Sequence, residues 1–208
     1  MATLVRDGVS MTETAPQDIP TGDPRVAYAQ ITSKMTELLD QIGSDDLANA
    51  TPCPEFSVKE LAEHIVMVQR RVAAMGNGES FTTIDAESVD AGWADDFRTA
   101  SHQVMTAWTD GAKLGHMFTV PWGEVIGAEL IGTYTGELAV HAWDLATALD
   151  AELTINDELL DPIVEGAKAL PAEGREHPDV PFGPVVDPGA DAPALLRLAG
   201  WMGRQVQG

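Results

Sequence analysis

The strongest constraint on the fold is the run from about Gly127 to Leu149, "GAELIGTYTGELAVHAWDLATAL", which contains no proline and is mostly apolar or small. Leu130, Tyr134, Glu137, His141 and Leu145 recur in it at three- and four-residue intervals. That period places all five along one stripe of a helix. A helix this long and this apolar has to be packed on more than one side, which commits the chain to helix-on-helix packing. The stripe also poses a chemical question, because an acid and an imidazole lie on it among core-type residues.

The same period recurs through the chain. Tyr28, Ile31, Met35, Leu38 and Ile42 predict a helix from about Asp23 to Ile42, stopped by Gly43. "SVKE" at 57–60 reads as a capping box, with Ser57 at the N-cap and Glu60 three residues on. It opens a helix to about Met75, on which Leu61, His64, Val68 and Val72 share a face with Ile65 beside them. Trp93, Phe97, Ala100, Val104 and Trp108 mark a third helix, from roughly Ser88 to Gly111. A fifth runs from about Asn156 to Leu170, and a short last one from about Ala192 to Arg204, capped by Asp191. "HMFTVPWGEVIG" is rich in β-formers but interrupted by proline and glycine, and is read as a loop. Residues 171–193 are proline- and glycine-rich loop, and residues 1–22 an aperiodic, disordered tail. The expectation is one all-α domain over 23–208, with four main helices and two extras.

Composition narrows the partners. The net charge is −21, from 33 acids against 12 bases. Phosphate backbones and anionic membrane surfaces need clustered Lys and Arg, so neither nucleic acid nor membrane is an expected partner. The single cysteine, Cys53, rules out an internal disulfide and suits a reducing compartment. No signal-peptide pattern or membrane-length apolar run is present, so a soluble cytoplasmic protein is expected.

Two of the helices carry imidazoles in their inner stripes, His64 on the second and His141 on the fourth, and the fourth adds Glu137. Residues four apart on a helix have Cβ atoms roughly 5–6 Å apart, so Glu137 and His141 reach one small cation. His64 arrives across the interface as a third ligand. Two nitrogens and one carboxylate oxygen leave a coordination position open, which is the pattern of a catalytic zinc site. The bland alternatives are a Glu/His pair on a solvated face and a hydrogen-bonded core histidine. A buried carboxylate needs compensation, and one cation explains all three residues together.

"TPCPEFSVKELAEHIV" (51–66) and "GELAVHAWDLATAL" (136–149) resemble the DinB-like superfamily, specifically its mycothiol-dependent maleylpyruvate isomerase-like branch. The terminal "FGPVVDPGADAPALLRLAGWMGR" (182–204) is similar to one subgroup of it. The resemblance extends over most of the chain from about residue 24. It implies a four-helix bundle holding a divalent metal, usually zinc, between helices, with His64, Glu137 and His141 in the ligand positions. It further implies mycothiol or another low-molecular-weight thiol as cosubstrate, whose metal-activated sulfur attacks an electrophile in isomerisation or S-transfer. The named isomerase of that branch resembles a two-domain protein, whereas only a short, loop-rich stretch follows Asp150 here. The broader thiol-linked chemistry is therefore the expectation, not maleylpyruvate itself.

Asp144, three residues after His141, either orients that histidine from behind or is a surface acid. Arg71, seven residues after His64, falls on the inner face and is the candidate contact for an anionic substrate. Trp143 is read as packing. Cys53, without a basic neighbour in sequence, is read as structural rather than nucleophilic. Phe118 and Trp122 either wall a pocket or plug the core. His102, His116 and His177 lie off the ligand stripe. Three readings follow: a metal-dependent thiol transferase or isomerase, a non-catalytic metal- or small-ligand-binding module, and a metal-free polar network in the core. Bundles of this kind often pair, which makes a homodimer a candidate assembly.

Overall fold

A computed structural model describes residues 22–80, 84, 92–120, 123–169, 182–189 and 191–206. The tail expected over residues 1–22 lies outside them apart from Gly22, and Trp122 and His177 lie outside as well.

Among the described residues the chain is all-α apart from one hairpin. Helix α1 spans Pro24–Leu39, α2 Val58–Gly76, α3 Trp93–Ala107 and α4 Gly127–Leu149, followed by the shorter α5, Asp157–Lys168, and α6, Ala194–Trp201. Helices α1 to α4 form a four-sided bundle in which α2 packs along α3 and α1 along α4, with α1–α3 and α2–α4 contacts closing it. Helices α5 and α6 pack on each other and on α4. Helix α4 is thereby flanked on several sides, and its buried residues run from Gly127 to Ala146. No helix among the described residues is long and apolar enough to cross a membrane.

Local sequence accounts for the helix starts. The capping box forms as expected: the Ser57 N–H donates to Glu60 Oε2 at 2.8 Å and the Glu60 N–H to Ser57 Oγ at 3.4 Å. Asp23 caps α1 by accepting from the Arg25 N–H at 2.9 Å, with Pro24 at the first helical position. The Arg25 guanidinium then donates to the carbonyls of Trp108 at 2.9 Å and Thr109 at 3.0 Å, tying the start of α1 to the end of α3. Its hydrogen bond holds the Asp23 carboxyl below the usual value, against a smaller opposing effect of burial. A depressed folded-state pKa contributes stability that is present above the unfolded value and is lost as pH falls through the folded one. Asp23→Ala is therefore expected to cost about 1 kcal/mol near neutral pH. Its Tm deficit relative to wild type should shrink as the pH is lowered below the ordinary aspartate value of 3.8.

Three expectations are corrected. The segment read as a loop is an antiparallel hairpin, β1 (Met117–Val120) against β2 (Gly123–Ile126), with Met117 opposite Ile126 and Val120 opposite Gly123. Gly123, at φ +137°, is the first residue of β2 and pairs with Val120, so this glycine opens a strand rather than breaking one. The last helix starts at Ala194, and Asp191 is not its cap. Asp157, at the start of α5, takes the Ala194 N–H at 2.9 Å instead, joining the two short helices. The third helix ends at Ala107 and gives way to a 3₁₀ turn, Gly111–Gly115; residues 88–91, where its start was expected, lie outside the described residues.

Candidate metal centre

The loop "TPCPEF" folds tightly before α2. The Thr51 hydroxyl donates to the Phe56 carbonyl at 2.7 Å and accepts from the Cys53 N–H at 3.2 Å. This turns Cys53 inward and lays Phe56 on the His64 ring, with stacked centroids 4.7 Å apart. His64, in the second turn of α2, faces Glu137 and His141 of α4. Its Nε2 lies 3.1 Å from Glu137 Oε1, and its ring centroid lies 5.0 Å from that of His141 in an edge-on arrangement.

One ligand atom from each of His64, Glu137 and His141 lies within 4.8 Å of the others. Zinc–nitrogen and zinc–oxygen bonds of about 2.0–2.2 Å put neighbouring ligand atoms of a tetrahedral ion roughly 3.3 Å apart. The His64–Glu137 pair is already at that spacing, and the donor set, two imidazoles and one carboxylate, suits zinc chemically. The side chains of His64 and Glu137 are 21% and 30% exposed, and that of His141 is 9% exposed, so the group meets solvent through His64 and Glu137 more than through His141. Burial pushes the Glu137 carboxyl up. The hydrogen bond from His64 and the charges of His64, His141 and Arg71 outweigh it and hold the group below its usual range.

Asp144 is fully buried and accepts from His141 Nδ1, with Oδ2 3.1 Å away. It also meets Arg204, whose Nε lies 3.0 Å from Oδ1 and whose Nη2 lies 2.9 Å from Oδ2. A carboxylate in this two-pronged guanidinium grip has no proton to give, so Nδ1 of His141 carries the hydrogen. In the neutral imidazole, Nε2 is then the nitrogen that offers a lone pair. Cys53, His141 and Asp144 form a second cluster of ligand-type atoms within 4.8 Å of one another. That group does not suit a cation, because Arg204 already occupies the carboxylate and burial pushes the Cys53 thiol up.

A further set of polar groups lines the interior next to Glu137. Tyr28 Oη donates to Gln69 Oε1 at 2.5 Å. Among the described residues, neither the buried Gln69 Nε2 amide nor the buried Tyr134 hydroxyl has a hydrogen-bond partner. Burial, then the charge of Glu137, raises the pKa of both tyrosines, so both remain phenols. Arg71 donates from Nε to the Ile84 carbonyl at 3.3 Å, and its charge acts on both Glu137 and Tyr134.

The remaining candidates fall elsewhere. Trp143 is half-buried against the core. Phe118 packs on Trp108 with centroids 5.1 Å apart, away from the cluster. His102 and His116 are exposed and belong to no ligand-type cluster among the described residues. Sequence reasoning missed Phe56, Gln69, Tyr28 and Arg204. Arg204 and Phe56 lie in stretches that carry the family resemblance, but nothing local to them says what they touch.

Comparison with known proteins agrees with this architecture. The chain is 28% identical over 190 residues to Uncharacterized protein Rv0738 of Mycobacterium tuberculosis (strain ATCC 25618 / H37Rv), covering 89% of this chain and 100% of that one. Uncharacterized protein MT0763 of Mycobacterium tuberculosis (strain CDC 1551 / Oshkosh) matches with the same identity and coverage. No solved structure gave a match. Residues 28–146, which carry all four bundle helices from Tyr28 through the His141–Asp144 turn, match a described family over more than half of the chain, and the protein thus belongs to the mycothiol maleylpyruvate isomerase N-terminal domain family.

Proposed function

We propose that this protein is a metal-dependent, thiol-linked enzyme, an S-transferase or isomerase that uses mycothiol or a similar low-molecular-weight thiol. His64, Glu137 and His141 hold a divalent cation, zinc in the first instance. The observation that carries this reading is the convergence of those three side chains from two helices in a chain of this family. A bound cation of this kind supplies Lewis acidity, which lowers the pKa of a coordinated thiol and keeps it as the nucleophilic thiolate.

The chain's own groups do the rest. Glu137 contributes the one negative charge of the ligand set, and its half-open edge beside His64 is the approach for the thiol. Phe56 covers the His64 ring and keeps water from that side. Gln69 Nε2 and the Tyr134 hydroxyl are two interior donors with no partner among the described residues, and Arg71 adds positive charge there. Donors so placed suit an electrophile that carries a carbonyl or carboxylate oxygen, which they would orient toward the sulfur.

Two measurements test the reading. Protein purified without added zinc is analysed for metal and titrated with mycothiol, then assayed with a generic electrophile in the presence and absence of a chelator. Stoichiometric metal, metal-dependent thiol binding and chelator-sensitive turnover are expected. Chelator-sensitive thiol binding with no turnover of any electrophile would identify a binding module instead. A protein with no metal as isolated, and none after zinc addition, sinks the reading altogether.

A further inference from the structure

We propose that Arg204, from the chain's C-terminal segment, is a positioning residue for the centre: its two-pronged hold on Asp144 fixes His141 as the Nδ1–H tautomer, with Nε2 free for a cation. The inference rests on the metal reading of the centre. It adds a contribution from outside residues 28–146, the part that matches the family.

Three linked observations carry it. Arg204 and Asp144 are both buried, at 6% and 0% exposure, so their pairing is shielded from solvent competition. The pairing is bidentate, with Nε and Nη2 of Arg204 on the two carboxylate oxygens at 3.0 and 2.9 Å, which sets the carboxylate plane as well as its charge. The same Oδ2 that receives Nη2 faces His141 Nδ1 at 3.1 Å, so the guanidinium, the carboxylate and the imidazole form one chain of contacts. A fixed acceptor behind a ligating histidine selects its tautomer and its ring orientation.

The C-terminal backbone is built to deliver that guanidinium. Gly203 has φ +85°, and a Cβ there would come within 2.5 Å of the Gly183 backbone. A Cβ on Gly200 would meet the Val186 carbonyl oxygen at 2.1 Å, while the Val186 N–H donates to the Gly200 carbonyl at 2.9 Å. Residues 183–186 therefore lie directly against 200–203, and the Arg204 N–H turns back to the Ala199 carbonyl at 2.9 Å. Arg204 leaves this turn pointing at α4, into the position behind His141.

The experiment reads the tautomer in metal-free protein, so that it does not depend on turnover. Long-range ¹⁵N–¹H correlation of ¹⁵N-histidine-labelled wild type is expected to show His141 as a single Nδ1–H form. Arg204→Met leaves Asp144 without its clamp and is expected to populate both tautomers. Competition with a chromophoric chelator should then show zinc bound about 10–100-fold more weakly, the effect typical of losing an outer partner of a metal ligand. Arg204→Lys, a single-pronged cation, should recover part of that loss. A charge-neutral Asp144→Asn/Arg204→Met variant covers the case in which Arg204→Met fails to fold, and it too should lose the single tautomer. The proposal is overturned if His141 keeps one Nδ1–H form in whichever of these variants folds. It is equally overturned if zinc affinity is unchanged when the tautomer is lost. A wild type that binds no zinc overturns the metal reading instead, and is recognised separately because the tautomer is read without metal.

Discussion

His141→Ala and His64→Ala are each expected to abolish stoichiometric zinc binding while leaving the bundle folded. Each removes one of the three side chains proposed to hold the ion. The loss should therefore exceed the roughly 10–100-fold weakening that follows removal of an outer partner. His64 is only partly buried, and its deletion leaves a solvent-accessible gap beside Phe56, so circular dichroism and Tm should stay close to wild type for that variant. His141 is more enclosed, at 7% exposure, and its loss strips Asp144 of one partner while Arg204 stays in place. Equilibrium dialysis against buffered zinc, with the metal quantified per chain, reads the result. Wild-type affinity in either variant would remove that residue from the ligand set.

Asp144→Ala is expected to be the most destabilising single change at the centre. It leaves the Arg204 guanidinium buried without its counter-charge, and breaking a buried pair in this way costs about 3–5 kcal/mol. For a chain of this size, where 1 kcal/mol moves Tm by roughly 2–4 °C, the melting point should fall by about 6–20 °C. Replacing both partners at once, as Asp144→Leu/Arg204→Met, should restore most of that loss, because two apolar groups leave no charge unpaired. Thermal denaturation of the single and double variants at neutral pH measures the difference. A single variant as stable as wild type would show that water or another group reaches Arg204 and that the pair is not sealed. The double variant keeps stability but not the acceptor behind His141, so it separates the pair's structural contribution from its positioning one.

The bundle was largely legible because its signals are local. A capping box and an uninterrupted 3.6-residue period each act within about two turns of chain. Ser57–Glu60 and the span of α4 accordingly lie where those signals put them. The hairpin at 117–126 did not, because a four-residue strand has too little period to set it apart from a loop. Its pairing supplies the stability that its length lacks. Asp191 failed as a cap for a related reason. A carboxylate of suitable type near a helix start is a local cue, yet Asp157 reaches the Ala194 N–H from another helix and takes the role.

At the centre, the sequence by itself determined which faces His64, Glu137 and His141 occupy, since a residue's face follows from its spacing along one helix. Only the tertiary structure decided that α2 and α4 turn those faces toward each other, with the ligand-type atoms within 4.8 Å. It alone decided that Asp144 points inward to a guanidinium sixty residues further along the chain. Spacing encodes geometry only as far as a helix stays regular. The meeting of Asp144 and Arg204 depends on how α6 and the backbone around Gly183 and Gly203 pack against α4, and that is settled by the burial of the whole core.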